Sequence, residues 1–206
     1  AELSLKWPEN DAGANYRQVL EISLQMEALV TRLLALGRAE QGGEPLRCES
    51  IRIEPLLRQL TEPLLANAAR RRIDLTSTIP NDAEVVTDRL LLQIILTNLI
   101  ENAVHYSRAD STISVEFTFN DGQFALSIGN DPENLQPEDL PHMFERFWRK
   151  DAARTESENS GLGLSLSHTY ARLLRCQLDA VINEDGRLVM TLRGPIAPPG
   201  SVDGQA

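Results

Sequence analysis

With 206 residues, 42% of them apolar and 24% charged, the chain has the make-up of a folded soluble protein, long enough for one domain of about 100–150 residues and a short accessory element. A formal net charge of −10 excludes a broad basic surface for nucleic acid or anionic membrane, so any nucleotide has to be held locally, through a metal ion. Cys48 and Cys176 stand in no ligand spacing and point to a reducing, cytoplasmic setting, and no window approaches the ~20 apolar residues of a membrane span.

In chain order, Leu3, Leu5 and Trp7 read as the tail of a helix and Trp7 to Gly13 as a turn. Val19, Ile22, Met26, Leu29, Leu33 and Leu36 then alternate steps of three and four, a heptad seam within residues 16–41. Leu20, Val30 and Leu34 widen that stripe, which favours a helical hairpin or four-helix bundle over a two-stranded coiled coil. Gly42-Gly43-Glu44-Pro45 ends the helix and supplies a linker. Ile53, Leu56, Leu57, Leu60 and Leu64 form the next helical stripe, kinked or stopped at Pro63. Ile73, Leu75, Ser77 and Ile79 alternate as a half-buried strand, and a long helix is expected from Asp88 to Tyr106. Ile113 to Phe119 and Phe124 to Ile128 make a hairpin turning at Asn120-Asp121-Gly122. A polar segment from Asn130 to Asn159, interrupted by Phe144, Phe147 and Trp148, has the length of a functional lid, with a mobile part expected at 151–160. A helix near Gly163–Arg175 and a hairpin around Glu184-Asp185-Gly186 complete the pattern. Three helices with about five mostly antiparallel strands predict an α+β two-layer sandwich.

Chemistry is concentrated in two places. On the long helix Leu91, Ile94 and Ile95 share a face that continues as Asn98, Glu101, Asn102 and His105. A stripe that turns polar midway either leaves the core for solvent or meets a polar ligand; two amide oxygens and a carboxylate within about a turn suit magnesium. Ser160-Gly161-Leu162-Gly163-Leu164 enters the next helix, as a tight turn or as a cradle for an anion. His142 and His168 read as ordinary histidines and the aromatic cluster as packing, since none has a partner at ligand spacing.

Asn98-Leu99-Ile100-Glu101-Asn102-Ala103-Val104-His105-Tyr106-Ser107, Asp139 to Arg149, and Ser160 to Leu164 resemble, in order, the asparagine box, phenylalanine box and second glycine box of the histidine-kinase branch of the GHKL ATPase superfamily. Tyr16 to Gly42 resembles the second helix of that family's dimerisation hairpin. The resemblance implies a Bergerat-type ATP-binding domain over 44–197, preceded by a truncated hairpin at 1–43 and followed by a flexible tail at 198–206. It implies ATP or ADP with magnesium: Asn98 and Asn102 on the metal, Glu101 and Asn102 catalytic, and His105, Tyr106, Asn130, Asp131, Arg149 and Ser160 to Leu164 around the nucleotide. Glu101 would act as general base or orient the phosphoacceptor. His105 stands where the family carries lysine or arginine, which makes phosphate binding pH-sensitive, because an ordinary histidine pKa lies near 6.5.

Asn130-Asp131-Pro132-Glu133-Asn134 departs from the family's first glycine box, in which an aspartate receives the adenine amino group. Asn130 offers a neutral amide oxygen instead, at a cost of ~1 kcal/mol. His105, His142 and His168 all fall in the catalytic part, and no His-Glu or His-Asp segment followed by Leu-Arg-Thr-Pro is present. The sequence thus reads as the cytoplasmic portion of an inner-membrane sensor without its anchor, binding nucleotide but not autophosphorylating alone, with a homodimer through the hairpin and a cognate response regulator as implied partners. Two alternatives remain: an interaction module that binds nucleotide weakly, and an anti-sigma-factor serine kinase, which leaves the heptad helix unexplained.

Overall fold

Alternating apolar and polar residues build two strands at the centre of the sheet, Thr112–Asn120 (β4) and Gln123–Asn130 (β5), joined through Asp121 and Gly122. Both loop residues have positive φ, 50° and 73°, the backbone of a two-residue hairpin whose twist matches its strands. A computed structural model describes residues 46–150 and 161–197. The chain divides after Glu44, and every described residue belongs to the second unit, Pro45–Ala206. The heptad helix and its turn, the segment 151–160 with Ser160, and the tail from 198 lie outside the described residues.

Ahead of the hairpin run Cys48–Arg52 (β1), helix Ile53–Thr61 (α1), a 3-10 turn at Glu62–Leu64, helix Leu65–Arg70 (α2), Asp74–Thr78 (β2), Glu84–Asp88 (β3) and helix Arg89–Tyr106 (α3). After it come a 3-10 turn at Pro137–His142, helix Gly163–Leu173 (α4), Gln177–Ile182 (β6) and Leu188–Pro195 (β7). Five strands form one sheet in the order β2-β4-β5-β7-β6. β2 runs parallel to β4, and every other neighbour is antiparallel. A parallel pair needs a long crossover, which β3 and α3 provide.

Two strands were not expected. β1 and β3 pair antiparallel in a separate small sheet. Only Ile51 of β1 and Val85 and Thr87 of β3 are buried, too few for alternation to stand out. Pro63 acts as expected: it falls in the 3-10 turn that breaks one helical stripe into α1 and α2.

The inward side chains of the sheet are Ile113, Val115 and Phe117, Phe124, Leu126 and Ile128, and Met190 and Leu192. Helix α3 touches α1, α4 and β5, which is why Leu92, Ile95, Leu96, Leu99 and Ile100 are all buried rather than confined to one stripe. The helix begins at Asp88, whose Oδ1 accepts from the Leu91 amide at 3.1 Å and whose Oδ2 accepts from the Arg47 amide at 3.0 Å. Cys176 is buried beside Gly194, where an added Cβ would collide with its Sγ. Burial pushes this thiol up to about 11, and it packs as a small apolar side chain.

Candidate functional site

Helix α3 carries its change of character at Asn98. This side chain is 4% exposed, and its Nδ2 donates to the carbonyl of Gly163 at 3.1 Å and to Ser167 Oγ at 3.0 Å. Ser167 Oγ donates in turn to the same Gly163 carbonyl at 2.9 Å. The three groups close a triangle that fixes α3 against the first turn of α4 and determines which way the amide points. A Cβ on Gly163 would approach Asn98 Oδ1 to 3.3 Å, so glycine here permits the two helices to meet. Residue 162, at the N-cap of α4, supplies no side-chain cap, and the first-turn amides carry the positive end of the helix dipole.

Beyond Asn98, the next turns place Asn102 half-buried and Glu101 and His105 exposed. The His105 ring meets Tyr106 edge-on, with centroids 4.6 Å apart, and Tyr106 is 44% exposed. The end of α3 is held by a residue that sequence reasoning missed. Arg71 donates from one guanidinium nitrogen to the carbonyls of Val104, at 2.6 Å, and His105, at 2.7 Å, and from the other to that of Ser107. Arg71 stands in a run of three, Arg70 to Arg72, but nothing in that run singles it out, because its partners lie more than thirty residues away.

At the end of β5, Asn130 is 1% exposed and neither its Oδ1 nor its Nδ2 has a hydrogen-bond partner among the described residues. It shares the inward face of β5 with Leu126 and Ile128. The chain after it is tied to the end of α3 by Arg108 N–H to the Asp131 carbonyl at 2.8 Å and Glu133 N–H to the Tyr106 carbonyl at 3.0 Å. Asp131 points its carboxylate at Arg187, 3.7 Å away. Arg187, also missed, donates to the carbonyls of Thr112 at 3.0 Å and Gly129 at 3.4 Å, clamping the ends of β4 and β5.

Of the segment between β5 and α4, the described part is anchored in three ways. Gln136 and Asp139 cap the 3-10 turn reciprocally, Lys150 pairs with Asp139, and the Phe144 ring lies 5.3 Å from that of His168 on α4. Gly161, with φ +68°, accepts from the Phe147 amide at 3.0 Å; an added Cβ would stand 2.9 Å from the Phe147 carbonyl carbon. Phe147 is 69% exposed with φ +65°, so it does not pack the base of the segment as the sequence suggested, and its backbone rather than its ring makes the contact with Gly161. Trp148 and Arg149 are half-buried, as are Leu162 and Leu164; His142 bonds Glu145 at the surface, Nδ1 to Oε1, at 2.9 Å.

The hydrogen bond from Lys150, with that from the Gln136 amide, holds the Asp139 carboxyl below the usual range. A lowered folded-state value means that the stabilisation is complete above the unfolded aspartate pKa, near 3.9, and disappears as pH falls through the lowered value. Asp139→Asn is therefore expected to melt below the wild type at pH 7, with the two melting curves converging in acid. A gap that persists at the acid end would contradict this linkage.

Over residues 87–197 the sequence matches the family described as histidine kinase-, DNA gyrase B-, and HSP90-like ATPase. The chain belongs to this family. It is similar to the sensor protein CzcS of Cupriavidus metallidurans, 27% identical over 201 residues, covering 95% of this chain and 41% of CzcS; it thus spans about two fifths of that relative. In fold it is similar to the Acinetobacter baumannii histidine kinase AdeS, with a TM-score of 0.75 at 18% identity over 94% of this chain and 88% of that one. Full-length ShkA in complex with AMPPNP superposes with a TM-score of 0.71 at 21% identity, covering 88% of this chain and 38% of ShkA. The domain is an ATP-binding domain of the sensor-histidine-kinase type, and its sheet covered by helices is the α+β Bergerat-type arrangement. No helix among the described residues is long and apolar enough to cross a membrane.

Proposed function

We propose that this domain binds ATP or ADP with magnesium and passes the γ-phosphoryl group of ATP to a histidine on a dimerisation hairpin. The observation that carries the reading is the polar end of α3, which opens beside the α4 N-terminus that Asn98 fixes in place. Among the described residues no group of three or more His, Cys, Asp or Glu side chains could hold a metal. The Asn98 and Asn102 oxygens with the nearby Glu101 carboxylate are hard donors, too few to enclose an ion, which fits a magnesium that keeps waters and phosphate oxygens as ligands. Bound there, the ion would neutralise phosphate charge.

The residues of the chain do the rest. Asn98 and Asn102 hold the metal, the amides of Gly161 to Leu164 face the phosphates, and His105, Tyr106, Arg149 and Asn130 line the nucleotide, while the Asp131 carboxylate is turned to Arg187 and steadies the end of β5. The attacking imidazole nitrogen forms the P–N bond as the bridging β–γ P–O bond breaks and ADP leaves; Glu101 orients the imidazole and takes its proton. Residues 1–43 serve a homodimer in the longer protein, and a cognate response regulator takes the phosphoryl group onward, in the cytoplasmic portion of an inner-membrane sensor.

Mixing tests this. Incubated with labelled ATP alone, the chain should stay unlabelled, since His105, His142 and His168 all belong to the donor domain. A supplied hairpin carrying an acceptor histidine, in a version whose own site is disabled by Asn102→Ala, should become labelled when the chain is added. The departure at Asn130-Asp131-Pro132 favours a second reading, an interaction module with weak nucleotide binding. That reading predicts no label at any concentration, with an acceptor shown to be competent by an active donor.

A further inference from the structure

Asn98 and Asn130 are both buried carboxamides, yet they differ in one respect. The Asn98 Nδ2 is tied to the Gly163 carbonyl and to Ser167 Oγ, so its oxygen and nitrogen cannot exchange places without setting the amide oxygen against the Gly163 carbonyl oxygen. Neither polar atom of Asn130 has a partner among the described residues, although the residue is 1% exposed. Buried polar atoms in proteins are almost always hydrogen-bonded, and one that is not calls for an explanation. Arg187, the cation at this end of β5, bonds the Gly129 carbonyl and pairs with Asp131. In a strand, residues 129 and 131 lie on the opposite face from residue 130.

The surroundings restrict what can satisfy this amide. It lies on the same inward face as Leu126 and Ile128, both 0% exposed, which suits a flat apolar body with a polar edge better than a phosphate or a sugar. A carboxamide presents one acceptor and one donor side by side, and it can pair with the two-atom edge of a purine. Adenine offers at N6 and N1 a donor beside an acceptor. A 6-oxopurine offers at O6 and N1 the reverse order. Turned by 180° about its last bond, one amide at one position complements either edge, and nothing in the described structure holds it in one of the two orientations.

Building on the nucleotide reading above, we propose that Asn130 is a specificity-determining residue of a permissive kind: the site takes 6-oxopurine as well as 6-aminopurine nucleoside triphosphates. Inosine triphosphate is the appropriate probe, because its base differs from adenine only along the N1–C6 edge.

The test is a calorimetric titration of the whole 206-residue chain with ATP, inosine triphosphate and purine riboside triphosphate, each with magnesium. Inosine triphosphate is expected to bind within about 10-fold of ATP, and purine riboside triphosphate, which lacks the 6-substituent, roughly 10-fold more weakly. Asn130→Leu, close in volume, should weaken ATP and inosine triphosphate in parallel by roughly 10-fold or more while leaving the nucleotide-free melting temperature unchanged or higher. A penalty beyond about 100-fold for inosine triphosphate against ATP, or unaltered ATP binding by Asn130→Leu, overturns the proposal and leaves the nucleotide reading standing. Failure of the wild type to bind ATP at all removes the nucleotide reading and this proposal with it. The comparison of ligands on the wild type does not depend on the variant folding.

Discussion

Asn102→Ala is expected to weaken magnesium-dependent ATP binding roughly 100-fold, about 2.7 kcal/mol, with little change in stability. The side chain is half-buried on α3, while its neighbours Ala103 and Val104 are buried in the core. Alanine removes the half-buried carboxamide, metal-facing oxygen included, without opening a cavity in the apolar layer, and its helix propensity exceeds that of asparagine. The loss should therefore fall on the ligand and not on the fold. Chelation supplies the control: the wild type in EDTA should bind as weakly as the variant, and the variant should be indifferent to EDTA. Wild-type affinity in Asn102→Ala, measured by calorimetry, would sink the metal assignment.

Arg71→Ala should lower the melting temperature by roughly 5–10 °C, the effect of losing about 2–3 kcal/mol in a domain of this size. The last carbonyls of a helix have no partners within it and form the negative end of its dipole. In α3 the Arg71 fork meets three carbonyls there, those of Val104, His105 and Ser107. Arg71→Lys keeps the charge but not the planar fork, so it should recover less than half of the loss. Because His105 and Tyr106 ride on this helix end, ATP affinity should fall along with stability. A melting temperature within about 1 °C of wild type for Arg71→Ala would show that water satisfies these carbonyls equally well.

What could be read from the sequence followed the reach of each interaction. The end of β4, the Asp121-Gly122 loop and the start of β5 are adjacent in the chain, and alternation together with a turn dipeptide defined them. Helix α3 was legible because it is long, and Asp88 marked its start. The part played by Asn98 was only half visible. Its polarity on an apolar face stood out, whereas its partners Gly163 and Ser167 lie 65 and 69 residues away. Arg71, the middle one of three consecutive arginines, and Arg187 gave no local signal of their roles, since the carbonyls they bond lie more than thirty residues away in the chain. β1 and β3 were missed for another reason: five-residue strands with one or two inward side chains are shorter than the period needed to recognise them.

The parallel pairing of β2 with β4 also bears on how the domain is made. Asp74 finds its partner in Thr112 and Thr78 in Glu116, so during synthesis from the N-terminus β2 emerges well before the strand that will cover its edge. An uncovered strand edge recruits other chains when it is apolar. The sequence of β2, Asp-Leu-Thr-Ser-Thr, contains one large apolar residue in five, and this polarity suits a strand that must remain unpaired on the ribosome until the β4–β5 hairpin arrives.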